Sequence, residues 1–308
     1  MAAWARPSGH SLGIVLILGS ALCFSLAGLL VRLIETAGPW QIIFYRCTSL
    51  CIAVTAFVII RHGYRSIHHV RSLGWKAPFG GVLMGSAMIV VIFAFLNTTV
   101  ANVVFIGGAL PFVVGVLAWL FLSERIPPAT LVVMTVAFAG IGLMMAEGLG
   151  GGQVTGDLYA VVALFVFGGL VVTLRAGKAA DMTPVLAMGA GFAALLAAIM
   201  VPDFEISLHD LLICLLMGGV QTFLSYVLMN YATRLLRAAE LTIIGSIEFP
   251  IAPLWVWIAV AEVPSEASLI GGVLVFCAVC GQALWTSRRP QRLSKGLTQA
   301  GARPGESP

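Results

Sequence analysis

Long apolar runs separated by short polar breaks repeat along the whole chain. Ten of them fall at about 11–31, 39–60, 78–96, 102–122, 129–146, 157–174, 183–200, 210–230, 238–260 and 268–286. Each approaches the roughly 20 apolar residues that a helix needs to cross a bilayer. The runs are too long for barrel strands and lack their period-two alternation. Backbone groups in hydrocarbon must be satisfied within their own segment, so the runs predict helices. The first run is longer than the apolar core of a secretory signal and has no Ala-x-Ala end, so it is read as a span.

The polar breaks set a topology. The N-terminus, 61–77, 123–128, 175–182, 231–237 and the tail together carry fifteen Arg and Lys residues, while the alternate breaks carry Arg32 alone. The remaining basic residue, Arg46, lies within a span. By the positive-inside rule both termini are then cytoplasmic. Ten spans divide into two halves of five. An odd number per half makes the second half enter the membrane in the opposite sense, which predicts inverted repeats about an axis in the membrane plane.

The text repeats as well. Residues 94–127 read AFLNTTVANVVFIGGALPFVVGVLAWLFLSERIP, and residues 231–264 read YATRLLRAAELTIIGSIEFPIAPLWVWIAVAEVP. At an offset of 138, Ala94 meets Ala232, Ala101 meets Ala239 and Glu124 meets Glu262; Pro111 meets Pro250 with a one-residue slip. The domain reading is a short N-terminus (1–10), a first repeat (11–148), a glycine-rich linker (149–156), a second repeat (157–286) and a disordered tail (287–308).

Composition agrees with a membrane protein. Apolar residues are 60% of the chain and charged residues 10%. Soluble domains run near 45–50% and about 25%. All six cysteines lie inside spans without zinc spacing, and read as small buried hydrophobes. No phosphate loop, HExxH or nucleophile-elbow motif occurs, so neither ATP-driven transport nor hydrolysis is expected, and no cofactor or metal. His62, His68 and His69 sit in a basic loop that reads as headgroup-facing.

Polar residues within spans are expensive and face the bundle interior or a cavity. Arg46 lies about a third of the way into the second span and reads as a gate or an anchor for a carboxylate, against a packing and topology residue. Glu248 lies near mid-membrane in the ninth span, two residues before Pro250. It is a candidate proton carrier or partner for a substrate amine, against a protonated carboxyl bonded to a freed carbonyl. Gln221 in the eighth span is a cavity candidate or an interhelical hydrogen-bond donor, with Tyr226 nearby. Asn102 caps a helix or lines the outer mouth, and Trp119 stacks a planar ligand or packs against lipid. Pro111 and Pro250 predict breaks in corresponding spans, which point to a site at the repeat interface. Glu124 and Glu262, each at a span end near proline, read as structural turns. Gly81 and Gly85 form a small-xxx-small pair for close helix approach.

This pattern resembles the drug/metabolite transporter superfamily, and within it the ten-span EamA-type bacterial carriers. The resemblance rests on Pro39–Arg46 (PWQIIFYR), on Ala101, Pro111 and Leu122-Ser123-Glu124, and on the weaker copy Ala239, Pro250 and Glu262. It covers roughly 11–286. Ser123 departs from the usual glycine, and Ala190 stands near the place of a second Arg46. The resemblance implies an all-α membrane protein of ten transmembrane helices, in two inverted five-helix repeats. It implies a bacterial inner-membrane carrier with a cavity among spans one, three, four, six, eight and nine. The expected activity is secondary transport of small organic metabolites, most simply export of amino acids or drug-like compounds by alternating access, with proton coupling through Glu248 as one mode. Uptake of a vitamin or nucleotide-like metabolite is the second reading, and a membrane enzyme of lipid chemistry the third. The expected partners are a small-molecule substrate and membrane lipids, with no nucleic acid, in a monomer or weak homodimer.

Overall fold

The structure, a computed structural model, describes residues 9–62, 76–177 and 183–288. The N-terminal segment, His68 and His69, most of the 61–77 and 175–182 loops and the tail from 289 lie outside the described residues. The helices are α1 (Gly9–Arg32), α2 (Pro39–His62), α3 (Lys76–Asn97), α4 (Val100–Gly108 and Leu110–Leu122), α5 (Pro128–Gly151), α6 (Val154–Gly177), α7 (Thr183–Met200), α8 (Leu208–Ala232), α9 (Ala238–Gly245 and Glu248–Val260) and α10 (Glu266–Arg288). Among the described residues nine helices are long and apolar enough to cross a membrane, and the bent α4 pair makes a tenth.

Each helix forms because its run is uniformly apolar, and each ends where the run meets a turn former. The α5 helix continues through the glycine stretch to Gly151 and stops at Gly152, whose φ of 76° is a left-handed cap. The joint between the halves is therefore only Gly152 and Gln153, shorter than the linker read at 149–156. Without water as a competitor, the helical hydrogen bonds outweigh the weak helix propensity of glycine.

The two broken helices correspond closely in their second segments. The second half of α4 runs 110–122 and that of α9 runs 248–260, both 13 residues and offset by 138. Both end in a left-handed residue that is not glycine, Ser123 (φ 56°) and Ala261 (φ 55°), at the same offset. The breaks fall at Ala109, with a 43° bend, and at Ser246–Ile247. They precede Pro111 and Pro250, which sit in the first turn of the following segment. There the missing N–H is no loss, and the interruption falls a few residues before the proline.

In the bundle α3 packs between α6 and α7, α2 lies on α7, α5 pairs with α10, and α1 lies against α8 and α9. Ile42, Ile43, Leu50, Ile92, Ile106, Phe112, Leu170 and Met217 are fully buried. Gly85 faces the Gly189 carbonyl, so close that a Cβ would meet it at 2.5 Å. Large apolar side chains such as Val15, Ile52, Ile199 and Ile258 stand exposed on the outside, the surface that lipid covers.

Candidate functional site: a cavity closed at one end

Alternate loops meet at opposite ends of the bundle. Arg61, Arg125, Arg234 and Arg237 mark a basic end; Glu35, Glu147, Asp203, Asp210 and Glu262 mark an acidic end. At the acidic end polar groups tie the loops together. Asp210 accepts from the backbone N–H groups of Glu35 (3.0 Å), Thr36 (2.9 Å) and Ala37 (2.9 Å) and from the Thr36 hydroxyl (2.6 Å). Gln41 donates to the carbonyls of Asp203 (3.0 Å) and Glu205 (2.7 Å). Arg32 donates to Glu262 at 2.6 Å and to the carbonyls of Phe95 and Thr98. The other Glu262 oxygen caps α4 by accepting from the Val100 N–H at 2.8 Å. Asp157, fully buried, accepts from Thr98 (2.7 Å) and Asn102 (2.9 Å), and Ser268 donates to Asn102.

A cavity runs from mid-bundle toward the basic end. One compartment, about 230 Å³, lies among Phe24, Arg46, Met88, Phe167, Thr222 and Tyr226. A second, about 420 Å³, lies among Ser20, Pro111, Thr233, Thr242 and Glu248. Phe24, Gly107, Leu110, Phe167 and Tyr226 line both. Phe24 and Tyr226 meet edge to face at 5.3 Å.

Arg46 is 8% exposed, and its Nε and Nη1 have no partner among the described residues. Its backbone is held by α8: a Cβ on Gly218 would lie 1.9 Å from the Arg46 carbonyl oxygen. Gly218 belongs to a π-helical turn, Leu216–Thr222, inside α8. Such turns often mark functional positions. This one places Thr222 on the cavity wall beside Arg46. Glu248 is the first residue of the second α9 segment and is half-buried on the cavity wall, where a helix start favours a negative charge.

The remaining sequence candidates fall elsewhere. Gln221 donates to the Cys23 carbonyl at 2.8 Å and accepts from Thr222 at 2.9 Å, so its amide is spent tying α8 to α1. Asn102 belongs to the acidic-end network, because its Thr99-capped first turn points it at Asp157. Trp119 is 55% exposed on the outer face of α4, beside Leu120 and Phe121, and lines neither compartment. Pro111 lines the cavity, whereas Pro250 lies in an apolar cleft with Phe105 and Trp257. Glu124 is exposed, in contrast to the bonded Glu262. Asp157 and Asp210 were not among the candidates. Their only signal was an acid in the first turn of a span. Among the described residues no cluster of His, Cys, Asp and Glu could hold a metal ion.

Comparison with known proteins places this architecture. A solved crystal structure superposes with a TM-score of 0.64, covering 91% of this chain and 99% of the other at 16% identity, which shows a shared fold. A mouse (Mus musculus) protein, solute carrier family 35 member G1, is 28% identical over 122 residues, 37% of this chain and 30% of the mouse protein. The sequence pattern of the EamA-like transporter family matches residues 11–146 and again 154–282, one copy in each half. The chain thus spans about a third of the length of that mouse relative; with nearly all of the chain matched by the family pattern, this multi-pass membrane protein belongs to the EamA-like transporter family.

Proposed function

We propose that the chain is a secondary carrier that exports small organic metabolites, amino acids or drug-like compounds, by alternating access between two inverted five-helix repeats. The observation that carries this reading is the asymmetry of the cavity, tied shut at the acidic end and reaching residues Thr233 and Thr242 at the basic end. The excess of basic loops supports a cytoplasmic position for that end and for both termini, in what this reading takes to be a bacterial inner membrane. The structure then corresponds to the state that loads substrate from inside. Arg46 and Glu248 are the charged side chains on the cavity wall and are the handles for substrate and, at Glu248, for a coupling proton.

Reconstituted protein should exchange a labelled solute across liposomes, tested with amino acids, riboflavin and cationic dyes, with and without a pH gradient. Saturable counterflow of at least one is expected. Folded protein that moves none of them would count against the carrier reading. Flux and pH dependence both unchanged in Glu248→Gln would remove the proton role of that residue.

A further inference from the structure

We infer that the Arg46 compartment takes a small monoanionic organic solute, a carboxylate with an apolar or aromatic body; this rests on the carrier reading. A buried guanidinium without a counter-charge is costly, and within a membrane more so. Here Nε and Nη1 are buried and unpartnered, and among the described residues no acidic side chain lines this compartment, Glu248 standing in the adjoining one. The substrate supplies the missing charge, as a carboxylate paired with the guanidinium. Among the described residues Arg46 is the one cation lining the compartment, so a dianion such as the doubly charged form of phosphate would keep one charge uncompensated. The rest of the wall is apolar apart from Thr222 and Tyr226, with Phe24, Met84, Met88 and Phe167 facing the space. At about 230 Å³ it exceeds the roughly 150 Å³ cavity that accommodates benzene. An aromatic or branched apolar group fits there, with its acid on Arg46.

The test pairs probes that differ only in charge. Benzoate and phenylacetate, their amides, benzylamine and inorganic phosphate are titrated against detergent-purified protein by thermal shift and offered in liposome counterflow. The carboxylates should bind at least about tenfold better than the amides. Arg46→Gln should abolish the preference, and Arg46→Lys should keep part of it. Equal response to anions, amides and amine, or unaltered benzoate binding in R46Q, overturns the inference; the wild-type series decides alone should R46Q not fold. Flux without anion preference sinks the inference and leaves the carrier reading. Carboxylate binding without any flux does the reverse.

A second inference comes independently from the 138-residue offset. At the acidic end the second half of α9 packs on the first half of α4, and Glu262, just past its left-handed cap, bonds the first N–H of α4 at Val100. The equivalent pair, Glu124 past the cap at Ser123 and the α9 start at Ala238, lies exposed at the basic end, where α4 and α9 line opposite parts of the cavity. The geometry points to an exchange of latches. When the carrier turns over, Glu262 releases Val100 and Glu124 caps α9 at Ala238. In a background without the native cysteines, E124C with A238C should be bridged by an added short bismaleimide, each thiol adding across one maleimide, during turnover and thereby stop flux, and Glu124→Gln should slow flux about tenfold while benzoate binding from the basic side stays unchanged. Absence of cross-linking in a double variant that transports at the full rate, or an E124Q protein with full flux, overturns it.

Discussion

Asp210 is the carboxylate on which the acidic end is built. It sits in the first turn of α8 yet gathers three backbone N–H groups and a hydroxyl from the α1–α2 loop. Asp210→Ala would leave those donors facing a fully buried hole, at a cost of about 2–3 kcal/mol. Thermal unfolding in detergent should show Tm falling by several degrees, with D210N intermediate because its carbonyl oxygen still accepts. An unchanged Tm in D210A would mean the loop is held by other contacts. This residue was not legible in the sequence, because an acid near a loop ordinarily reads as solvated. Arg46 and Glu248 were legible as candidates, because a charge far from a span end has no cheap explanation. Gln221 and Trp119 show the limit of that reasoning: a polar or aromatic residue in a span is equally suited to a neighbouring helix or to lipid, and only packing decides.

The helices themselves were readable from the apolar runs, since a bilayer demands both length and helix. Their irregularities were readable in part. The prolines announced breaks in α4 and α9, though the interruptions lie a few residues earlier, at Ala109, where the helix bends by 43°, and at Ser246–Ile247. The π-helical turn in α8 left no sequence mark, because one residue more per turn does not disturb a run that is apolar on all sides. Its consequence can be tested by a neighbouring pair. Gly218→Ala would drive a methyl into the Arg46 carbonyl, whereas at Gly219 the nearest atom to a Cβ, on Ser49, is 3.6 Å away. G218A should lose most of its transport and express poorly, and G219A should match wild type in both flux and Tm. Equal behaviour of the two would show that α2 and α8 can slip apart freely.

For the molecule as a whole, closure at the acidic end depends on a few shared groups rather than on broad apolar burial. Arg32 and Glu262 are only partly exposed and jointly engage α3, α4 and the loop after α9. Glu262→Gln should loosen that end without unfolding the bundle. Hydrogen–deuterium exchange over residues 97–102 and 261–268 should quicken, while α3 and α7 exchange as before; uniform acceleration would indicate general instability, and no change would deny the pair any part in closure. The doubled architecture was legible because two landmarks recur in order, and five spans per half implied inversion, which is retained here as part of the proposed mechanism. The direction in which the cavity opens was not, since one sequence encodes both states. The interruption at Ala109 has a mechanical side. The segment beyond it is a rod of 13 residues, about 20 Å long at the helical rise. A swing of about 10° at the joint would carry its tip about 3.5 Å, somewhat more than the width of a water molecule. Because the ladder of backbone bonds is already interrupted there, such a lever works without melting any helix.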